Sequence, residues 1–293
     1  MAKFVFSAFA DEAGSTLGEQ ISALKDNGIS YIEPRSINGK GILELSDDEL
    51  AEVKACLDEN GIRVNSIGSP IGKYPITEPL EPHLEKLRRA IEVAKALGTK
   101  LIRMFSFFVD QTELDVYREE VIRRLQTMAK IAAEHGVTLC HENESAIYGQ
   151  EPCRVKDILE SVPSLYGIFD PANYRMNGAD PIEGINATLT NLKYLHIKDA
   201  IYAKQAIVRA GRGEGRIGEI IDLVNSRTDD LVYLTLEPHL HGFDAYKAID
   251  AHELRGEESY SSGREAFDAA AAALRALMTD LGYREDEFHV WKK

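Results

Sequence analysis

The sequence predicts a single (β/α)₈ barrel over residues 1–293. Three observations predict it. Short apolar runs alternate with amphipathic stretches of helical period along the whole chain, without a linker or low-complexity break. A glycine closes the helical stretch just ahead of an apolar run at Gly28, Gly61, Gly98 and Gly136, as tight helix-to-strand connections require. Four polar clusters follow successive apolar runs in the second half: His141-Glu142-Asn143-Glu144, Asp170-Pro171-Ala172-Asn173, His196-Ile197-Lys198-Asp199 and Glu237-Pro238-His239. A doubly wound open sheet fits less well. It usually carries a glycine-rich phosphate loop after its first strand, and residues 7–14 do not form one.

The first strand is expected at 4–8, followed by a helix over 16–27 that Gly28 stops. A strand at 31–34 leads to a helix opened by Ser46, with Glu49 three residues on as a capping box. That helix ends near Asn60-Gly61, and the third strand is expected at 64–67. A helix over 82–97 stops at Gly98 before a fourth strand at 101–105. A long helix over 113–135 precedes Gly136. Strands at 137–142, 167–170, 194–198 and 233–237 complete the eight, and a last helix is expected over 264–281.

Composition narrows the partners. A net charge of −14 argues against nonspecific nucleic-acid binding, which relies on Lys and Arg to neutralise phosphates. No uncharged apolar run approaches the roughly 20 residues that span a membrane. The N-terminal run reaches Asp11-Glu12 without the apolar core and cleavage site of a signal peptide. Cys56, Cys140 and Cys153 make an odd count with no C-x-x-C spacing, which speaks for a reducing cytoplasm. The expected partner is a small molecule, and a homodimer is the assembly to test.

Strand parity locates the chemistry, because side chains two residues apart share a face. With Leu234 and Leu236 outward, Thr235, Glu237 and His239 share the inner side. Leu195 and Ile197 outward leave Tyr194, His196 and Lys198 inside, and Glu33, Arg35 and Arg103 follow by the same count. Barrel enzymes place their sites at the C-terminal rim, and charges so central must be paired or metal-bound. Glu142, Asp170, His196 and Glu237, one from each of strands five to eight, are the expected ligands of one divalent cation. Taken singly, each is more often a cap, an ion pair or a hydrogen-bonded core residue. Four of them at one rim make the case.

These oxygen-rich donors suit Mn²⁺ first, or Mg²⁺, with Co²⁺, Fe²⁺ and Zn²⁺ admissible. A structural zinc site would be tetrahedral and rich in sulfur or imidazole. Chelation of an α-hydroxy-carbonyl unit would acidify the adjacent C–H. Glu142 and Glu237, on either flank, are then expected to remove and return the proton through a metal-bound enediolate. Lys198 is expected as an acid, as an anchor for a substrate oxygen, or simply paired with Glu33 or Asp199. His239 is expected near the substrate and His241 at the surface.

The segment Arg209-Ala210-Gly211-Arg212-Gly213-Glu214-Gly215 follows strand seven and lacks the Gly-Lys-Ser/Thr of a P-loop. It reads either as a mobile loop offering backbone N–H groups and Arg212 to a sugar hydroxyl or phosphate, or as an ordinary connection. Gly68-Ser69-Pro70-Ile71-Gly72-Lys73, after strand three, is a similar rim loop.

Together Gly68–Lys73, His141-Glu142-Asn143-Glu144 with Tyr148-Gly149, Phe169-Asp170-Pro171-Ala172-Asn173, His196-Ile197-Lys198-Asp199-Ala200 and Leu236-Glu237-Pro238-His239-Leu240 resemble a known group. It is the xylose isomerase-like TIM-barrel superfamily, and within it the sugar phosphate isomerases/epimerases. The resemblance runs nearly the whole chain. It implies a Glu–Asp–His–Glu metal site at Glu142, Asp170, His196 and Glu237, with Glu142 and Glu237 as the acid/base pair. The substrate it implies is a sugar, a sugar phosphate or a related keto-polyol. Ketose 3-epimerases of the superfamily typically carry a His three residues beyond the strand-six Asp. Asn173 stands there, an amide in place of an imidazole that contacts substrate. The endonuclease IV branch needs further histidines on strands three and four, and residues 64–69 and 101–108 hold none. The competing expectations are a lyase or dehydratase acting on a keto-sugar or keto-inositol through the same enediolate, and a non-catalytic sugar-binding barrel.

Overall fold

Residues 1–241 and 258–293 are described by a computed structural model. Its strands β1 (Lys3–Ala8), β2 (Tyr31–Ile32), β3 (Arg63–Val64), β4 (Leu101–Met104), β5 (Thr138–Glu142), β6 (Tyr166–Phe169), β7 (Leu192–Ile197) and β8 (Leu231–Leu236) alternate with helices. The helices are α1 (Leu17–Asp26), α2 (Asp47–Glu59), α3 (Glu81–Ala96), α4 (Leu114–Glu134), α5 (Pro152–Ser161), α6 (Pro171–Met176), α7 (Pro181–Thr188), α8 (Ile217–Asn225) and α9 (Gly263–Asp280). Parallel ladders run in the order β1–β8–β7–β6–β5–β4. β2 pairs with β3, and an Ile67–Ile102 bridge carries that pair to β4. Glu33 N donates to Ala8 O at 3.0 Å and joins β2 to β1. The result is the (β/α)₈ barrel that the alternation predicts.

Local chemistry explains the boundaries. Thr16 with Glu19 and Ser46 with Glu49 form capping boxes at the starts of α1 and α2. The glycines that stop α1 to α4 all take positive φ, from +59° at Gly28 to +77° at Gly98. α3 and α4 bury one apolar stripe each, Leu87, Ala90, Ile91 and Ala94 on the first and Val121, Leu125, Met128 and Ala132 on the second. Full burial of a Leu, Ile or Val stabilises the fold by about 1.5–3 kcal/mol. Among the described residues no helix is long and apolar enough to cross a membrane. Cys56, Cys140 and Cys153 form no disulfide.

β2 is shorter than the sequence pattern suggests, and the reasons are visible. Pro34 offers no N–H to a ladder. The lower half of the adjacent β1 edge is taken by a C-terminal hairpin, Arg284–Glu285 with Val290–Lys292. It pairs antiparallel with β1, Phe4 opposite Trp291 and Val5 opposite Val290, and Trp291 stacks on Phe6 at 5.3 Å. The sequence reading did not anticipate this hairpin.

The rim loop at 68–74 is zipped to the segment after β4. Phe105 N donates to Ile71 O at 2.8 Å and Phe107 N to Gly72 O at 2.9 Å. Gly72 sits at φ +89°, and a Cβ there would lie 1.9 Å from Phe105 O, so no other residue fits.

Candidate active site

Four consecutive strand ends deliver the central groups. Glu142 is the last residue of β5, and His196 faces inward on β7. Asp170 follows β6 and caps α6, its Oδ1 accepting Asn173 N at 2.9 Å. Glu237 follows β8 directly. One ligand atom from each of Glu142, Asp170, His196 and Glu237 lies within 4.8 Å of all the others, and all four residues are buried.

His196 Nδ1 lies 3.0 Å from Glu142 Oε1 and 3.2 Å from Glu237 Oε2. Burial opposes charge on this ring, but Glu142 and Glu33 outweigh it and hold its pKa well above the ordinary value. For Glu237, burial would raise the pKa, yet Lys198 and His196 pull it well below the carboxylate range. Asp170 goes the other way: burial pushes it up to about 7, although Lys198 opposes.

Lys198 Nζ is 2.8 Å from Asp170 Oδ2 and 3.6 Å from Glu237 Oε2. Its partners are thus cluster carboxylates rather than Glu33 or Asp199. Asp170 Oδ2 and Glu237 Oε2 are buried and accept no hydrogen bond of good geometry. Carboxylate oxygens turned into a shared space, with one imidazole beside them, fit a hard-to-borderline divalent cation.

The arginines expected inside are there. Arg103 Nη1 lies 3.3 Å from Glu142 Oε2 and 3.8 Å from Glu237 Oε1. Arg35 grips Asp11 through Nε and Nη2, at 3.0 and 2.9 Å, and reaches Glu237 Oε1 at 3.2 Å. Both guanidinium groups lie over the Phe9 ring, at 4.6 Å for Arg35 and 4.9 Å for Arg103. Phe9, Asp11 and Glu12 were not picked out from sequence. Their position just past the first strand, on the rim side, is the signal that was there to use.

His239 lies with Glu237, as parity suggests. Its Nε2 is 3.4 Å from both Glu237 Oε1 and Glu12 Oε1, and its backbone N donates to Glu12 Oε2 at 2.7 Å. Burial lowers the His239 pKa to about 4 and raises that of Glu12 to about 8. Asn173 Nδ2 donates to Asn143 O at 2.8 Å. The Asn143 side chain in turn exchanges two 2.9 Å hydrogen bonds with the Asp170 backbone, tying the ends of β5 and β6 together. Lys73 pairs with Glu144 at 3.1 Å. Arg212 is exposed, and among the described residues no hydrogen bond or ion pair joins its guanidinium to the cluster; His241 is half-buried.

The glycine-rich segment after β7 folds onto Asp199. That carboxylate accepts N–H bonds from Gly211, Gly213 and Gly215 at 2.8–2.9 Å, and from Ala200. A Cβ on Gly213 would stand 2.3 Å from Asp199 Oδ1. The backbone N–H groups of Gly211, Gly213 and Gly215, expected to meet a ligand, are engaged within the chain.

The family described as xylose isomerase-like TIM barrel matches residues 21–242. No curated protein matches the chain in sequence. Among solved structures, D-psicose 3-epimerase with D-tagatose from Clostridium cellulolyticum H10 has a TM-score of 0.70 and 16% identity, covering 94% of this chain and 99% of that one. The probable 3-DHS dehydratase involved in petrobactin synthesis from Bacillus anthracis has a TM-score of 0.69 and 17% identity, with the same 94% and 99% coverage. A xylose isomerase-like TIM barrel protein from Mycobacterium smegmatis in complex with magnesium has a TM-score of 0.65 and 15% identity, covering 95% and 97%. At these identities the likeness is one of fold.

Proposed function

The chain belongs to the xylose isomerase-like TIM barrel family, and on that premise we propose that it is a metal-dependent isomerase or epimerase of a sugar, a sugar phosphate or a related keto-polyol. The observation that carries the reading is the convergence of Glu142, Asp170, His196 and Glu237 at one rim. These four would hold the ion, Mn²⁺ or Mg²⁺ before Co²⁺, Fe²⁺ or Zn²⁺, and it would supply a Lewis acid that polarises a hydroxy-carbonyl pair.

The chain's own residues move the proton. Glu142 and Glu237 come from strands on either flank of Asp170 and His196, so they can address opposite faces of one carbon. One takes the proton beside the carbonyl and the other returns it. Arg103 Nη1 reaches both carboxylates, Glu142 Oε2 more closely than Glu237 Oε1. Lys198 holds or protonates a substrate oxygen beside Asp170, and His239 meets a hydroxyl beside Glu237. Asn173 and Arg212 are kept as substrate contacts: Asn173 gives one amide N–H to Asn143 O and has its oxygen and second N–H besides, and Arg212 is exposed.

Elimination is the second reading, favoured by the Lys198 ammonium: an acid at that place can protonate a leaving oxygen. One experiment separates the two. The chain is loaded with Mn²⁺, its metal content measured, and ketoses and keto-inositols are incubated with it in D₂O. Deuterium gained with the formula retained supports isomerisation, and loss of water or an aglycone supports elimination. A chain that takes up no divalent metal would leave neither standing.

A further inference from the structure

We infer that Asn143 is a positioning residue, whose side chain clamps the backbone of Asp170 so that the carboxylates of Glu142 and Asp170 keep one fixed spacing for a divalent cation. The inference rests on the metal reading above and concerns how the chain prepares two of its four ligands. The β5–β6 ladder ends where Glu142 faces Ile168. Beyond it Pro171 opens α6 and has no N–H to continue a strand. Asp170 is nevertheless fully buried, and its backbone N–H and C=O need partners there. Asn143 supplies both. Its Oδ1 accepts Asp170 N and its Nδ2 donates to Asp170 O, each at 2.9 Å.

The clamp links the two carboxylates directly, since Asn143 follows Glu142 in the chain and grips Asp170 itself. The Asp170 side chain is held from the other side, where Oδ1 accepts Asn173 N at 2.9 Å. With the backbone and Oδ1 both fixed, Oδ2 faces the cluster, 2.8 Å from Lys198 Nζ. Asn143 is itself buried, and Asn173 Nδ2 donates to its carbonyl oxygen at 2.8 Å. Among side chains of this length, only the asparagine amide offers a donor and an acceptor side by side. An aspartate would keep the acceptor and turn a second oxygen against Asp170 O, and an alanine would offer neither. Holding a ligand through such an outer partner is worth about 10–100-fold in metal affinity.

The test uses the full chain with Mn²⁺ and Co²⁺ as probes. Chelator competition should give Asn143→Ala and Asn143→Asp a loss of about 10–100-fold in affinity for either ion. Asn173→Ala removes a hydrogen bond beside the clamp but keeps the backbone N–H that Asp170 Oδ1 accepts, so it should lose clearly less. The visible spectrum of bound Co²⁺ reports the arrangement of its ligands and should change in Asn143→Ala. A purely structural role would lower the Tm of the metal-free chain and leave affinity and spectrum as they were. In the wild type the Asp170 amide should be protected from hydrogen exchange. Wild-type affinity and spectrum in Asn143→Ala, an equal loss in Asn173→Ala, or a rapidly exchanging Asp170 amide overturns the inference. If Asn143→Ala does not fold, Asn143→Asp and the wild-type exchange decide. A wild type that takes up neither ion sinks the metal reading and this inference with it, whereas a loaded wild type with an unaffected Asn143→Ala sinks only the inference.

Discussion

Lys198 Nζ lies 2.8 Å from Asp170 Oδ2, so a lysine ammonium already sits on one of the four groups proposed to hold a cation. The ammonium and a divalent ion repel each other across that carboxylate. Unit charges about 4 Å apart interact by about 1–4 kcal/mol between bulk water and a protein surface. Lys198→Met should therefore bind Mn²⁺ about tenfold more tightly while losing turnover. Calorimetric titration reads the affinity, and a weaker or equal Kd would mean that Lys198 helps to build the site instead.

The two glutamates should fail separately. Glu142→Gln and Glu237→Gln are each expected to lower solvent-deuterium exchange on a turned-over ketose by about 10²–10⁴-fold, the usual worth of a positioned acid or base. Under single-turnover conditions one variant should still wash deuterium into the substrate and the other should not. Equal, small losses in both would remove them from the proton path.

Gly213 has no room for a side chain. With a Cβ 2.3 Å from Asp199 Oδ1 and 2.6 Å from Ala200 O, Gly213→Ala should destabilise the fold by about 1–3 kcal/mol. Asp199→Asn gives up charge-assisted acceptance from three glycine N–H groups and should cost about 2 kcal/mol or more. Urea denaturation measures both. A neutral Asp199→Asn would mean that the loop is held by other contacts.

His83 should make the protein acid-sensitive. Gly72 N donates to His83 Nε2 at 2.8 Å, and burial, with Lys86 and Arg124 adding, lowers the ring's pKa from 6.5 to about 4. The folded value lies below the unfolded one. The ring thus leaves stability unchanged above about pH 6.5, and stability falls as pH drops from there to about 4, by at most about 3 kcal/mol. His83→Gln offers Gly72 an amide oxygen that does not titrate. Its Tm should fall less between about pH 7 and about pH 5 than that of the wild type, and an unchanged slope would place the acid sensitivity elsewhere.

Trp291 is buried and stacked on Phe6. Trp291→Ala should cost about 3–5 kcal/mol, as large-to-small changes of buried aromatics do. A thermal melt reads it directly, and a loss below 1 kcal/mol would show the hairpin to be dispensable.

Local pattern made most of this architecture legible. The Ser46–Glu49 box, the helix-stop glycines and the period of two along β7 and β8 are short-range signals, and the structure holds each where the pattern puts it. The convergence of Glu142, Asp170, His196 and Glu237 was legible for the same reason, since parity and a strand count suffice. What was not legible depends on distant partners. Nothing near Trp291 says that it pairs with Phe4, and nothing near Asp11 says that Arg35 will grip it. Asn143 reads as one more polar residue of its cluster until its side chain is seen bonded to the Asp170 backbone. The glycines at 211, 213 and 215 looked like an invitation to a ligand, because sequence cannot show that a neighbouring aspartate claims their N–H groups first.

The pairing of β1 also bears on how the protein is made. Lys3–Ala8 lies in register with Leu231–Leu236 on one edge and meets Val290 and Trp291 on the other. Phe4 and Phe6 leave the ribosome long before any of these partners. At roughly 5–20 residues per second, the gap to residue 291 is on the order of 15–60 s. For that interval the first strand of the nascent chain is an apolar segment with open edges, and contacts so distant in sequence form slowly even after release. Synthesis at low temperature or with a holding chaperone should therefore raise the yield of folded barrel more than any change near the rim that carries the candidate site.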